Sequence, residues 1–201
     1  NDGDWSETTE VYLDLVSRGL QPTPVGVSDA HGYQAGEDFT YVYVGHDDPA
    51  ELTDSELVTA FLNRATVAST GPYIEATIDE QWASGTTVEG AVDLDVVVHA
   101  PSWMQIDGVD LLENGQVIEN VAVAEGSEEA LVRISTRFEL NPENDAHYVV
   151  MVRGSQSMAP VYPGRTAWAM TAAQAPIVPV QSTRATPPRH SSAPSSEPSS
   201  E

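Results

Sequence analysis

Between residues 73 and 180 the sequence repeats one pattern, a short run of β-branched and aromatic residues closed by a turn. Strands are predicted at Tyr73–Ile78, Val92–His99, Val109–Glu113, Val117–Val123, Leu131–Leu140 and His147–Arg153. Glu113-Asn114-Gly115-Gln116 centres a hairpin on Asn-Gly, a dipeptide that accepts the positive φ of a tight turn. Asn141-Pro142-Glu143-Asn144 supplies another turn. Six or seven strands in about 105 residues, with turns roughly every 8–12 residues, is the pattern of an antiparallel β-sandwich. No helix-length periodic segment interrupts it.

The flanks read differently. Residues 1–72 mix helical and strand signals. Ser6 can cap a helix whose apolar positions Val11, Leu13, Leu15 and Val16 precede a stop at Gly19. Thr23–Val27 predicts a short buried strand, closed by Ser28-Asp29-Ala30-His31-Gly32, and Phe39–Val44 predicts a second. A further helix starts from the cap Thr53, with Glu56 completing a capping box, and ends at Asn63, a residue that tolerates the left-handed conformation. Residues 181–201 hold 7 Ser and 4 Pro and too little apolar area to offset ordering, so they predict a disordered tail or linker. The expected partition is therefore 1–72, 73–180 and 181–201.

Composition narrows the chemistry. Eight arginines stand against 31 acidic residues, a formal charge of −23, so no basic surface for bulk nucleic-acid binding can be assembled. There is no lysine, which excludes a P-loop and a Schiff-base lysine, and no cysteine, which excludes disulfides, thiolate metal sites and a thiol nucleophile. No run of 18 apolar residues is present, so no membrane-spanning helix is expected. Neither an initiator Met nor a signal peptide opens the sequence, and a mature product or excised fragment is the expectation. The Ser/Pro tail and missing Cys fit an exported bacterial protein, and also a halophile's cytosol.

The densest polar cluster after a strand signal is Ser28-Asp29-Ala30-His31-Gly32. Two positions apart in extended chain, Asp29 and His31 point the same way, so a carboxylate and an imidazole can converge on one cation. An Asp capping a turn beside a surface His is the plainer alternative. Gly26-Val27-Ser28-Asp29-Ala30 approximates a nucleophile elbow, but the loop-like His-Gly-Tyr-Gln-Ala-Gly follows where that motif needs a helix. Asp93-x-Asp95 and Asp107-Gly108-Val109-Asp110 lack EF-hand spacing and read as solvent-face acids. His46, His99 and His147 read as structural or surface residues. Trp5, Trp82, Trp103 and Trp168 include either a sugar platform or, more commonly in a sandwich, core rings.

In order and spacing the motifs resemble the last part of PHP-type metallohydrolases of the CehA/McbA-like branch. There, a helix of form W-x-x-L-L-x-x-G leads through a strand into S-D-x-H, as Trp5…Leu13-Asp14-Leu15…Gly19 leads here into Ser28-Asp29-Ala30-His31. The helix Leu52–Leu62 with Asn63-Arg64…Thr70-Gly71-Pro72 is similar to the family's G-R…T-x-G-P, Asn63 standing where Gly is usual. Ala100-Pro101-Ser102-Trp103, Leu111–Gly115 and a closing strand at Arg165–Thr171 resemble an appended C-terminal sandwich, and Asn1 fits an Asn before the helix.

The resemblance implies the C-terminal end of a PHP-type, distorted TIM-like α/β barrel over residues 1–72, followed by the β-sandwich. It implies metal-assisted hydrolysis of a small phosphorylated or ester substrate by zinc, manganese or iron, with Asp29 and His31 as metal ligands. Ser28 would support them from the outer shell, Arg64 would receive an anionic substrate, and Thr70 would shape the rim. The family's H-x-H pair and other ligands precede this motif, so they are expected in a missing N-terminal part of the same polypeptide, and the chain alone is expected to be inactive. The alternative is a non-catalytic β-sandwich that binds a carbohydrate, surface or partner.

Overall fold

Two antiparallel sheets carry most of the protein, whose computed structural model describes residues 5–31 and 36–177. The tail expected at 181–201, like Asn1 and Gly32, lies outside the described residues. The elements in chain order are α1 (Trp5–Ser17), β1 (Phe39–Val42), α2 (Asp54–Leu62), β2 (Thr66–Ser69), β3 (Tyr73–Ile78), β4 (Gln81–Trp82) and β5 (Thr87–Glu89). They continue with β6 (Val92–His99), β7 (Gly108–Glu113), β8 (Gln116–Ala122), β9 (Val132–Leu140), β10 (Tyr148–Met158), β11 (Tyr162–Thr171) and β12 (Ala175–Ile177). One sheet runs β1-β2-β11-β10-β7-β8 and the other β4-β3-β6-β9, while β12 and β5 form a small parallel pair.

Period-two alternation decides what lies between the sheets. On β6, Leu94, Val96 and Val98 point inward, while Asp93 and Asp95 point out and meet Arg137 of β9. Ile74 and Ala76 of β3 and Ile134, Phe138 and Leu140 of β9 complete that face. Val67, Val109, Leu111, Val150, Val152 and Ala169 of the six-stranded sheet oppose it. The predicted hairpin is present: β7 and β8 pair across Asn114 (φ 50°) and Gly115 (φ 79°).

The second face of the six-stranded sheet is apolar too. Ala68, Leu112, Val149, Met151, Trp168 and Met170 would meet water there, and α1 covers them with Tyr12 and Val16. The buried side of α1 is thus Thr9, Tyr12 and Val16, at helical spacing, while Val11 is 60% exposed. The helix stops as predicted at Gly19 (φ 78°), where the Gly19 and Leu20 N–H groups bond Val16 and Leu15 carbonyls in a Schellman arrangement. It begins at Trp5, so Ser6 falls within its first turn instead of capping it. The Tyr12 hydroxyl anchors the helix by accepting the Ala173 N–H at 2.9 Å.

The expectation of an α/β-barrel end over residues 1–72 is overturned. Such a barrel needs parallel strands alternating with helices, whereas β1 pairs antiparallel with β2 and β2 pairs antiparallel with β11. The physical reason lies in β2 itself. All four of its residues are buried, so it needs a strand on each side, and β1 and β11 supply them. The strands on either side of residue 72 share one sandwich. Thr23–Val27, predicted as a strand, is extended but joins no ladder. Pro24 has no N–H to offer, and the Gly26 N–H and C=O are both taken by the Thr40 hydroxyl at 3.0 Å.

The dependence on α1 can be read in alkali. Burial pushes the Tyr12 phenol up to about 12, outweighing the Ala173 N–H and the Arg64 charge, which both favour the phenolate. A group with a raised folded pKa stabilises fully below its unfolded value, here 10, and that contribution is lost as pH rises towards 12. Stability measured by urea unfolding should therefore fall between these pH values. In Tyr12→Phe the fall should be shallower, with about 1 kcal/mol lost at neutral pH through the orphaned Ala173 N–H.

Candidate functional site

The predicted site begins with a segment glued to the sheet edge. Besides the Thr40–Gly26 pair, the Thr66 hydroxyl donates to the Pro24 carbonyl at 3.0 Å and the Thr23 hydroxyl to the Phe61 carbonyl at 2.8 Å. Contact is close: a Cβ on Gly26 would lie 2.4 Å from the Phe39 carbonyl oxygen. Pro24 and Gly26 therefore face inward, and Val25, Val27 and Asp29 face out.

Asp29 and His31 stand at the free end of this segment, their side chains 87% and 86% exposed. Asp29 adopts a left-handed conformation (φ 44°), one that Asp tolerates better than most residues. The turn this makes brings His31 Nδ1 to 2.7 Å from the Asp29 carbonyl oxygen and 4.0 Å from the carboxylate. With its proton held on Nδ1 by that carbonyl, the imidazole presents an Nε2 lone pair to solvent, the orientation metal-ligating histidines adopt. The predicted pair is thus brought together. Its donor set, one carboxylate and one imidazole, suits a divalent ion, but no group of three or more potential ligands forms among the described residues. Either side chain offers a donor atom to an ion, but the carboxylate faces Nδ1 and not the Nε2 lone pair, so the two do not close on one ion in this arrangement.

The loop that carries them is tied at its far side. Ser28 accepts the Gly36 N–H at 3.4 Å, and the Tyr162 hydroxyl of β11 donates to the Gly36 carbonyl at 3.2 Å. Next in sequence, the half-buried Glu37 and the buried Asp38 both meet Arg165, with N–O distances of 3.2 and 3.4 Å. Burial pushes the Asp38 carboxyl up, Arg165 opposes this, and Glu37 adds to it. Ser28 therefore secures the loop through the backbone. This anchoring cluster had no signature in the sequence beyond an acidic pair and a distant arginine.

Arg64 and Thr70 stand elsewhere. Arg64 takes the left-handed position (φ 58°) after α2, while Asn63, expected there, has φ −84°. The Arg64 guanidinium donates to the Gly85 carbonyl at 2.7 Å and lines a cavity of about 540 Å³ with Tyr12, Val16 and His147. Asp29 and His31 are not among the residues lining it. Thr70 is fully buried: its hydroxyl accepts the Trp168 N–H at 2.8 Å and donates towards the Thr166 and Trp168 carbonyls.

The remaining candidates have structural partners. Asp110 is buried against Arg153 and Asn120, Asp107 meets the Ser155 hydroxyl, and Trp168 is in the core. No described helix is long and apolar enough to cross a membrane. No protein-family model matches this chain, and neither does any curated protein.

Thr70→Val separates a structural from a site role. It strands the buried Trp168 N–H and should cost about 1–3 kcal/mol in urea unfolding. Divalent-metal uptake by the chain should be unchanged; a loss of metal with stability intact would place Thr70 at the site instead.

Proposed function

We propose that this chain supplies Asp29 and His31 to a metal-dependent hydrolase centre of phosphoesterase type, with the β-sandwich as their mount. The observation that carries the reading is that Asp29 and His31 stand exposed beside each other at the end of a segment fixed to the sheet edge, in the order the resemblance to PHP-type metallohydrolases gives for metal ligands. The remaining ligands are assigned to residues outside the described ones, in the same polypeptide. A bound zinc, manganese or iron ion would supply Lewis acidity towards a small phosphorylated or ester substrate.

The chain's own residues have definite parts in this scheme. Asp29 gives a negatively charged oxygen donor, and His31 gives a neutral nitrogen whose ring is aimed by the Asp29 carbonyl. Ser28, one position before Asp29, accepts the Gly36 N–H and so ties the start of the motif to the segment leading into β1. Arg64 does not share the ligands' surroundings, so reception of an anionic substrate is left to groups outside the described residues.

A second reading, a non-catalytic binding module, is favoured by a separate observation, an aromatic-walled cavity at the edge formed by β1 and β4.

Metal titration distinguishes them. The 201-residue chain should take up zinc or manganese weakly, with Kd above about 10 μM, and lose that uptake in Asp29→Ala or His31→Ala. In a longer polypeptide with the further ligands, either substitution should lower hydrolysis of an aryl phosphate at least about 100-fold. Unchanged metal content and rate in both variants would sink the hydrolase reading.

A further inference from the structure

The edge of the sandwich opposite β8 is open, and aromatic rings line the opening. β1 ends one sheet there and β4 the other. Tyr43, just past β1, stacks on Trp82 of β4 with ring centroids 4.7 Å apart and planes 6° from parallel. Tyr41 of β1 packs on Tyr73 of β3 at 4.8 Å and 58°. The two pairs tie one sheet to the other and wall a cavity of about 410 Å³, within the ~300–1,000 Å³ typical of small-molecule sites.

The charge around this cavity has one sign. Asp47 lines it, and Glu75 follows Tyr73 by two positions on the same face of β3. No arginine is among the lining residues. Two imidazoles stand nearby, each against a carboxylate: His46 has Nε2 3.5 Å from Glu56, and His99, whose ring lies 5.8 Å from that of Tyr73, has Nε2 3.8 Å from Glu75. Aromatic faces carry negative potential, so rings and carboxylates favour the same kind of guest.

We propose that this cavity binds an organic cation, specifically the methylated ammonium group of a small molecule or head group. Contact with the ring faces that the Tyr43–Trp82 stack and the tilted Tyr41–Tyr73 pair leave uncovered stabilises a poorly hydrated ammonium, and Asp47 adds Coulomb attraction in a partly desolvated space. A neutral sugar would also stack on such rings, but it gains nothing from the carboxylates. The phenol of Tyr73, pushed up to about 12 by burial first and then by Glu75 and Asp47, reports the same negative field. Tyr41 is held in place by its hydroxyl, which donates to the Gly71 carbonyl at 3.0 Å, so its ring is fixed before any guest arrives. The site is independent of Asp29 and His31.

The test is titration calorimetry of the 201-residue chain with choline, with its uncharged tert-butyl isostere dimethylbutanol, and with N-acetylglucosamine. Choline should bind with a millimolar Kd, and the isostere at least about tenfold more weakly. Asp47→Asn should weaken choline at least about threefold without changing the thermal unfolding midpoint, since that side chain is at the surface; Tyr43→Ala should weaken choline at least as much while lowering the midpoint, because its ring packs on Trp82. Equal binding of choline and isostere would show an apolar hole only and overturn the proposal. So would a preference for the sugar, indifference to both substitutions, or no choline heat up to about 50 mM.

Discussion

The pairing of β2 with β11 is the interaction on which everything towards the N-terminus depends. β2 is four small residues, Thr66-Val67-Ala68-Ser69, with no bulky side chain to hold it by packing alone. It is held by the ladder to Ala169, Met170 and Thr171 and by hydroxyls just beyond it. Thr70 takes both the N–H and the carbonyl of Trp168, and Ser69 bonds the Pro72 carbonyl at 2.6 Å. β1 is ordered against β2, and the Asp29 segment is ordered against β1 and β2 through Thr40 and Thr66. Residues nearly a hundred positions apart thus decide where Asp29 and His31 stand.

Much of this was legible beforehand, and the rest was hidden for identifiable reasons. Strands β3, β6, β7 and β9 were readable because alternation and turn chemistry agreed there, and the Asn114-Gly115 hairpin because no better local signal exists. The α/β expectation for the first third failed because it was drawn from a resemblance in short motifs, and the helix and strand signals behind it are compatible with either architecture. Only the partner of β2, far along the chain, decides between them, and local patterning carries no record of it. The buried face of α1 was misread at Val11 for a related reason: a helix over a sheet is chosen by what it covers, and Tyr12 was needed for its length and its hydroxyl. The nearness of Asp29 and His31 follows from the turn at Asp29, whose positive φ the expectation of an extended chain did not include. The anchors at Gly36 and Arg165 were not, since each joins residues more than 120 positions apart.

Electrostatics unify the two proposed sites. Each of the six described arginines already has a polar partner: Arg18 on Asp14, Arg64 on Gly85, Arg133 on Pro101, Arg137 on Asp95, Arg153 on Asp110 and Arg165 on Glu37. With a formal charge of −23, what the chain has to spare is negative. Its own surface attracts cations, metallic or organic, and repels phosphates. Any anionic substrate must then be received by other groups.

The tight seat of Gly26 makes tolerance to change along this segment sharply uneven. Its outward neighbours Val25 and Val27 can be exchanged for many side chains, whereas every substitution at Gly26 begins with an atom driven into the Phe39 carbonyl. A change at either of the first two nucleotides of that glycine codon would lever the strip away from the sheet, three residues before Asp29. In a drifting lineage, codon 26 would therefore act as a genetic bottleneck, fixed by backbone proximity while the valines on both sides wander.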